Sequence, residues 1–530
     1  MNRVASFLIA ALLLAGITAA AVDGDAAEKR WWTHILYLAD DKLEGRNTGS
    51  PGYKLAAQYV ASQFKDAGLE PTGTAGYFQD LAFDVRQIDE AQSSWEIERN
   101  GQRTRVELGP DATMGVRGEP GDSIDASAVF VGYGFAVPEL GYDELAGLDL
   151  HGRISVLLAG GPSSIPGPLK AHYQSGAERW KALRKAGAIG VVTIPNPRTS
   201  DIPWERSSLI WTEPGMFLAD PTLDETRGLK FTGTINPARA DRFLDGSGHS
   251  IAELLALADA GKPLPKFPLA VTFHARIAVK RSQVTSPNVI GVLPGADPQL
   301  KSEYVVISAH LDHLGVGKPI NNDRIYNGAM DNASGVASLI EIAKSLSTAP
   351  DKPKRSILFA AVTGEEKGEL GSQYFVAHPT VNIKNIVADI NMDMYLPLFP
   401  LKYLEVQGLG ESTLGDDIRA VSQANGIEVQ SDKQPAANRF IRSDQYSFIK
   451  AGIPALAFKF GWVPGSPEEK IFNDWLRTRY HAPSDDVAQP VDLAAAAQFN
   501  RIVEQLAVRV AGAPTRPSWY EGSFFRRFAQ

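Results

Sequence analysis

The chain has 530 residues, 44% of them hydrophobic, with a net charge of −8 and no cysteine. This length exceeds a single domain of ~100–200 residues, and the acidic balance argues against a protein that binds nucleic acid mainly through phosphate contacts. The lack of cysteine excludes disulfides, thiolate metal sites and a lipidated cysteine.

The first residues indicate export. Arg3 precedes a short apolar run at Ala5–Ile17, and Ala19–Ala21 fits a signal-peptidase cleavage site. The apolar run is shorter than the ~20 residues that a membrane-spanning helix needs. We therefore predict a signal peptide over residues 1–21, a mature protein that is periplasmic or secreted, and no stable membrane anchor.

Two regions of different character follow. Residues 22–115 contain the loop LEGRNTGSPGYK, a helical pattern that stops at Gly68, and then short alternating strands. Residues 116–271 contain the strands ASAVFVGYGF and GRISVLLAGG, followed by a short amphipathic helix and a buried strand in AERWKALRKAGAIGVVTIPN. This spacing predicts a compact αβ unit over residues 116–271.

From residue 272 onward, strands alternate with helices at long spacing. The strands are predicted at NVIGVLPG, YVVISAH, RSILFAAVTG, NIVADINMDM and PALAFKF, and helical patterns lie between them. This alternation predicts an α/β fold, an αβα sandwich whose central sheet is mostly parallel. The main domain is predicted to run to residue 514, and residues 515–530 form a C-terminal tail without an assigned role.

Several of these strands end in polar residues, and ligands bind beyond the carboxyl ends of strands in such sheets. Singly, each has an ordinary explanation: a strand-end histidine is often a satisfied core residue, and an aspartate before a helix is often an N-cap. Together they predict a metal site. The predicted ligands are His310, Asp331, Glu366, Asp393 and His481.

The composition of this set indicates the metal. Imidazole and carboxylate ligands suit zinc or a similar divalent ion. Two histidines and three carboxylates exceed the three protein ligands usual for one catalytic zinc, so they fit two ions that share one carboxylate. Asp331, on a glycine-rich turn at a helix start, is the natural bridge.

Two further acids have predicted roles. Glu365 adjoins a ligand and is the expected general base beside a water that the metal activates. Asp312 lies two residues after His310 and is predicted to accept the second N–H of that imidazole. His313 is interpreted as a structural residue, with the alternative that it lines the pocket. The other histidines are interpreted as structural residues: His34, His151, His172, His249, His274 and His378.

The motifs AHLDHLG, GAMDNASGVA, TGEEKGELGS, NMDM, SDQYSFIKAGIPAL and RYHAPSDD occur in this order. They resemble peptidase family M28, the co-catalytic zinc aminopeptidases, over about residues 273–510 and the LEGRNTGSPGYK stretch. The resemblance implies a phosphorylase/hydrolase-like sandwich and a cis peptide bond after Asp331. It assigns one zinc to His310 and Asp393, the other to Glu366 and His481, the bridge to Asp331, the base to Glu365 and a supporting role to Asp312.

Residues 116–271 are similar to a protease-associated (PA) domain through VFVGYGF, LHGRISVLLAGG and KAGAIGVVTIPN. The resemblance implies that this insertion covers the mouth of the active site or helps to select substrates.

The function predicted from these features is an exported di-zinc aminopeptidase acting on peptides. A dipeptidase or carboxypeptidase on the same site is the main alternative, because Arg439 and Arg442 could grip a carboxylate; their ordinary explanation is pairing with acids such as Asp444. A receptor-like binding protein and a glutaminyl-cyclase-like transferase are further alternatives, which the complete ligand set disfavours. The candidate substrate contacts are Ser443, Asp444, Arg442 and Arg439.

Overall fold

The computed structural model describes residues 26–121 and 123–529. The predicted signal peptide, residues 1–21, lies outside the described residues. The helices are α1 (26–38), α2 (Pro51–Asp66), α3 (Gly167–Gln174), α4 (Gly176–Lys185), α5 (Trp204–Ser207), α6 (Asp241–Leu244), α7 (Ile251–Asp259), α8 (Ser334–Thr348), α9 (Leu370–Ala377), α10 (Leu414–Ala424), α11 (Gln445–Lys450), α12 (Pro467–Thr478) and α13 (Leu493–Gly512).

The strands form two large sheets and two short hairpins. They are β1 (Glu70–Pro71), β2 (Phe78–Ile88), β3 (Ser94–Arg99), β4 (Gln102–Arg105), β5 (Ala112–Met114), β6 (Ser123–Phe130), β7 (Ala136–Val137), β8 (Tyr142–Asp143), β9 (Ile154–Leu158), β10 (Gly190–Ile194), β11 (Gly215–Leu218), β12 (Phe231–Ile235), β13 (Phe267–Arg276), β14 (Val279–Leu293), β15 (Tyr304–His310), β16 (Gly315–Ile320), β17 (Asp323–Tyr326), β18 (Ser356–Val362), β19 (Ile386–Asn391), β20 (Tyr403–Gln407), β21 (Glu428–Gln430) and β22 (Ala455–Phe460).

The larger sheet has the order β11-β2-β14-β18-β15-β19-β22-β20-β21, and β1 also pairs with β14. Its middle strands β18, β15, β19 and β22 are parallel, which is the predicted α/β centre. Antiparallel pairings extend it on both sides, from β14 to β18 and from β22 to β20. The sheet is therefore mixed, with its parallel part where the candidate ligands lie.

Helices cover both faces of this sheet. Alternate residues of a strand point to opposite faces. In β15, Val305 and Ile307 belong to the core formed with α2, α8 and α13, whereas Val306 packs with Phe375 of α9 and Phe448 of α11. The central strands are apolar throughout because both of their faces are buried, and the three layers form the predicted αβα sandwich.

The smaller sheet has the order β4-β3-β13-β6-β9-β10-β12-β5 and a core of its own. Its strands run from Ser94 to Arg276, so they extend beyond the predicted insertion, residues 116–271, on both sides. Conversely, β11 lies inside that range but pairs with β2 of the larger sheet. These boundaries depend on pairings between distant strands, such as β3 with β13, which local patterns do not reveal.

The C-terminal tail, predicted as residues 515–530, packs between the two lobes. Trp519 and Phe525 are buried in a cluster that also contains residues of α3 and α11. Arg527 forms an ion pair with Glu139 of the smaller lobe. The tail thus helps to hold the insertion against the main domain.

Across residues 26–121 and 123–529, no helix combines the length and hydropathy that crossing a bilayer requires.

Candidate metal centre

The predicted metal ligands meet at one edge of the larger sheet. His310 is the last residue of β15, Glu366 follows β18 and Asp393 follows β19. These strands run parallel, so their carboxyl ends lie at the same edge. Asp331 lies in the turn before α8, and His481 lies in the loop after α12. The fold thus brings all five predicted ligands together from separate segments.

The spacing of the ligand atoms fits two ions. Nε2 of His310 lies 3.3 Å from Oδ1 of Asp331 and 3.3 Å from Oδ1 of Asp393. Nε2 of His481 lies 3.4 Å from Oδ2 of Asp331 and 3.2 Å from Oε2 of Glu366. Bonds of ~2.0–2.1 Å to one tetrahedral zinc place two ligand atoms ~3.3–3.4 Å apart. Asp331 offers one oxygen to each group, as a bridging ligand must.

Charge is concentrated in this buried site. Burial raises the pKa of Glu365 well above its usual range, and the neighbouring carboxylates Asp393 and Glu366 add to the rise. Burial opposes a charged His481, but Glu366 and Asp331 outweigh it and raise the pKa of His481 to about 10. Carboxylates that stabilise protonated imidazoles this strongly also favour a divalent cation in place of those protons.

Asp312 is placed differently from the prediction. Its main-chain carbonyl, not its carboxylate, lies 3.1 Å from Nδ1 of His310. The carboxylate instead accepts the hydroxyl of Thr48 at 2.8 Å and the main-chain N–H of Glu365 at 3.2 Å. The predicted contact was wrong: β15 ends at His310, and Asp312 lies in the short segment between this strand and the isolated β-bridge of His313 with Asn47. Asp312 therefore supports the segment that carries the candidate base.

The bridging turn is held by two buried charged residues. The main-chain N–H of Asp331 donates to the carboxylate of Asp485 at 2.9 Å. Arg46, from the LEGRNTG loop, is fully buried and donates to the carbonyls of Leu311 at 3.0 Å and Gly328 at 3.1 Å. The N-terminal segment thus ties together the two loops that carry His310 and Asp331.

The loop that carries Asp393 is fixed from both sides. The Asp331–Asn332 peptide bond is cis, as the resemblance implies, and the Asn332 side chain accepts the N–H of Met394 at 3.2 Å. Lys459 of β22 donates to the carbonyls of Asp393 at 2.7 Å and Met394 at 2.9 Å. Burial opposes ionisation of Asp393, but Lys459 and His310 together outweigh it and lower the pKa of that carboxyl.

A third imidazole also lies in this site. Nδ1 of His313 is 2.6 Å from Oε1 of Glu366 and 3.9 Å from Oδ2 of Asp331, and its side chain is fully buried. His313, Asp331 and Glu366 therefore bring ligand-type atoms together in the same region. The interpretation of His313 as an ordinary structural residue was incomplete.

The predicted substrate contacts Ser443 and Asp444 lie beneath the site rather than in its mouth. The Ser443 hydroxyl accepts the side-chain amide of Asn391 at 3.0 Å, and Asp444 is fully buried. Burial raises the pKa of Asp444 to about 7. These positions favour a supporting role for both residues over direct contact with a substrate.

The two candidate arginines pair with the insertion, not with Asp444. Nη2 of Arg439 lies 2.8 Å from Oδ1 of Asp201, and Nη1 of Arg442 lies 3.0 Å from Oδ2 of the same carboxylate. The Arg439 side chain is only 7% exposed, whereas that of Arg442 is 43% exposed and lines a cavity. The sequence offered no sign that the partner lies in the other lobe.

That cavity, of about 970 Å³, lies between the two lobes. Glu366, Lys367 and Arg442 line it from the main domain, and Arg179 and Trp211 line it from the insertion. The smaller lobe therefore faces Glu366 of the candidate metal centre across this cavity. Its volume lies within the ~300–1,000 Å³ that is usual for ligand-binding pockets.

Tyr480 is a further residue that the sequence interpretation missed. Its ring centroid lies 4.1 Å from that of His481. Burial raises the pKa of its phenol well above the usual range, and the nearby positive charge of Arg442 opposes that rise. An aromatic residue directly before a ligand was the available signal. A lysine inside the apolar strand PALAFKF was the corresponding signal for Lys459, because a buried ammonium group needs partners.

Residues 288–507 match the family model described as Peptidase family M28. The chain is 29% identical over 234 residues to Aminopeptidase YwaD of Bacillus subtilis (strain 168), covering 42% of this chain and 46% of that protein. It is 26% identical over 252 residues to Leupeptin-inactivating enzyme 1 of Streptomyces exfoliatus, covering 44% and 51%. The matched segment thus spans about half the length of these curated relatives.

A solved structure resembles a larger part of the chain. The aminopeptidase from Aneurinibacillus sp. strain AM-1 aligns with 92% of this chain and 95% of its own length, at 22% identity and a TM-score of 0.55. The likeness extends over both lobes and establishes a shared fold.

Proposed function

Because residues 288–507 of this chain belong to peptidase family M28, we propose that the protein is a metallo-aminopeptidase that removes N-terminal residues from peptides. The observation that carries this proposal is the ligand spacing. Two histidines and three carboxylates lie 3.2–3.4 Å apart in two groups joined by one aspartate. The names of the curated relatives, which include an aminopeptidase, support the choice of reaction.

Two zinc ions, or other divalent ions, would be held by His310 with Asp393 and by His481 with Glu366, with Asp331 shared between them. When bound, such ions activate a water molecule and polarise the carbonyl of the bond to be cut. The protein supplies the remaining chemistry.

Glu365 is the residue placed to move the proton. It adjoins the ligand Glu366, and its main-chain N–H is anchored on the carboxylate of Asp312 at 3.2 Å. A carboxylate in this position accepts a proton from the attacking water and passes it to the leaving amine nitrogen. The raised pKa of Glu365 fits a group that must both take and return a proton.

Tyr480, whose ring contacts that of His481, is proposed as the second polar group. A phenol with the usual pKa of ~10 is protonated at neutral pH, and burial raises the pKa of Tyr480 further. A protonated phenol beside the ligand His481 can donate a hydrogen bond to the carbonyl oxygen as negative charge develops there. Arg442 lies near enough to add positive charge to the same region.

The insertion limits what can enter. Asp201 binds Arg439 and Arg442, so this lobe is held over the cavity that Glu366 lines. A cavity of about 970 Å³ accommodates the end of a peptide more readily than the middle of a folded chain. This limited volume favours cleavage at a chain terminus and fits the role expected for a PA-like domain.

A dipeptidase or carboxypeptidase remains the second candidate because the partly exposed Arg442 lines the cavity. Its guanidinium could bind the terminal carboxylate of a short peptide. We also propose that the protein acts outside the cytoplasm, in the periplasm or the surroundings, on the basis of the signal sequence predicted over residues 1–21.

The test is a substrate panel on purified full-length mature protein. Chromogenic aminoacyl amides and matched N-blocked peptides are assayed with and without a chelator, and zinc is then returned. We expect turnover of the free amines only, loss with chelator and recovery with zinc. Cleavage of N-blocked peptides would favour the carboxypeptidase, and bound zinc without any turnover would contradict the enzymatic proposal.

A further inference from the structure

His313 is fully buried beside the second half of the candidate metal centre. It follows β15 by three residues, and its Nδ1 lies 2.6 Å from Oε1 of Glu366. The other oxygen of that carboxylate, Oε2, lies 3.2 Å from Nε2 of His481. The two oxygens of Glu366 therefore have different partners, each of them an imidazole.

The two distances indicate two kinds of interaction. Ligand atoms on one tetrahedral zinc are ~3.3–3.4 Å apart, and the contact of His481 agrees with this value. The contact of His313 with Glu366, at 2.6 Å, is shorter than this spacing. Nδ1 of His313 and Oε1 of Glu366 are both buried and have no hydrogen-bond partner of good geometry among the described residues, so the contact between them is the one that can satisfy both. His313 thus holds the carboxylate and does not share its ion.

The His313 ring lies in a slot formed by main chain. Gly328 has φ 61°, and a Cβ there would lie 2.5 Å from Cγ of His313. The main-chain N–H of His313 donates to the carbonyl of Arg46 at 3.2 Å. The ring also lies edge-on to His481, with centroids 5.9 Å apart. A side chain confined in this way can orient its neighbour.

We propose that His313 is a positioning residue: its Nδ1–H holds Oε1 of Glu366 and leaves Oε2 for the ion that His481 also binds. This inference rests on the proposed two-ion site. Groups that orient a metal ligand typically contribute 10–100-fold to metal affinity. Loss of the Nδ1 donor should therefore weaken the ion at His481 and Glu366 and spare the ion at His310 and Asp393.

Two amide variants of His313 distinguish the effect of its Nδ1 donor from the effect of the size of its ring. Asparagine places its amide near the position of Nδ1, whereas glutamine places it near Nε2. We expect His313→Asn to keep both ions with nearly native affinity. We expect His313→Gln to lose roughly 10–100-fold in affinity for one ion. Zinc titration against a chromogenic chelator gives the affinities, and zinc anomalous scattering from crystals shows which position is depleted.

Each outcome decides the proposal. The proposal would be overturned if both variants weakened zinc binding equally or if neither weakened it. It would also be overturned if the zinc position at His310 were the one depleted. If His313→Gln fails to fold, His313→Asn alone decides. Native affinity of His313→Asn for the ion at His481 and Glu366 supports the donor role, and loss of that ion from a folded His313→Asn refutes it. Since these measurements need no turnover, a wild-type protein that binds two zinc ions but cleaves no peptide would refute the proposed function and leave this inference standing.

Discussion

The two halves of the candidate metal centre are built on different supports. His310 ends a buried strand and Asp393 lies two residues after one, whereas Glu366 and His481 lie in loops. Burial does not separate the two halves, because the exposed fractions are 1% and 16% for His310 and Asp393 and 17% and 4% for His481 and Glu366. His481 also has φ 54°, a conformation that few residues other than glycine adopt. The half built on strands is therefore the better preorganised.

This difference accounts for the distribution of supporting residues. In the half built on strands, the ligands are supported by a main-chain carbonyl and by Lys459. The sheet already fixes the direction of the chain there. The loop half draws on His313 and Tyr480 beside its ligands, and Asp485 holds the turn of the shared Asp331. A site on loops needs side chains to supply the rigidity that a strand provides through its ladder of hydrogen bonds. We expect the strand half to bind its ion more tightly.

The largest expected effect comes from Glu365→Gln, which removes the proposed base without touching either half. We expect kcat to fall by ~10²–10⁴ while zinc content stays at two per chain. The measurements are steady-state kinetics and elemental analysis. Glu428→Gln, at an exposed glutamate of β21, is the matched control. Full activity in Glu365→Gln would show that Glu365 is not the general base. Loss of zinc would show that Glu365 helps to bind one of the ions.

Lys459→Met tests the strand half alone. It leaves the carbonyls of Asp393 and Met394 without their ammonium donor, so we expect ~10–100-fold weaker binding of the ion at His310. The ion at His481 should be unaffected, the reverse of the pattern expected for His313→Gln. Competitive zinc titration measures both affinities, with the exposed Lys402→Met as control. Equal weakening of both ions would mean that the halves do not act separately.

Asp201→Asn should have the smallest effect on catalysis because it lies outside both halves. It removes the charge shared by Arg439 and Arg442 and loosens the insertion over the cavity. We expect both ions to remain, Tm to fall, and KM to rise less than tenfold, which is below ~1.4 kcal/mol. Asp259→Asn, which breaks a surface pair with Arg198, is the control. An unchanged KM and Tm would show that this contact does not hold the lobe.

The sequence by itself determined the chemistry of the site and the sheet that carries it. Long apolar strands can be recognised because both of their faces are buried, and their ends coincide with ligand-type residues. His310 at the end of β15 and Glu366 after β18 could be found in this way. Asp331 and His481 were predicted from a glycine-rich turn at a helix start and from a loop after the last strand, and the fold places all five predicted ligands together.

Only the tertiary structure decided how the surrounding residues face one another. The direction of a side chain after a strand end depends on the loop, so the Asp312 carboxylate contacts Thr48 and the Glu365 main chain instead of His310. The partner of Arg439 and Arg442 is Asp201, which is far away in the sequence and in the other lobe. Pairings between distant segments leave no local pattern, because their cause is the packing of the folded chain.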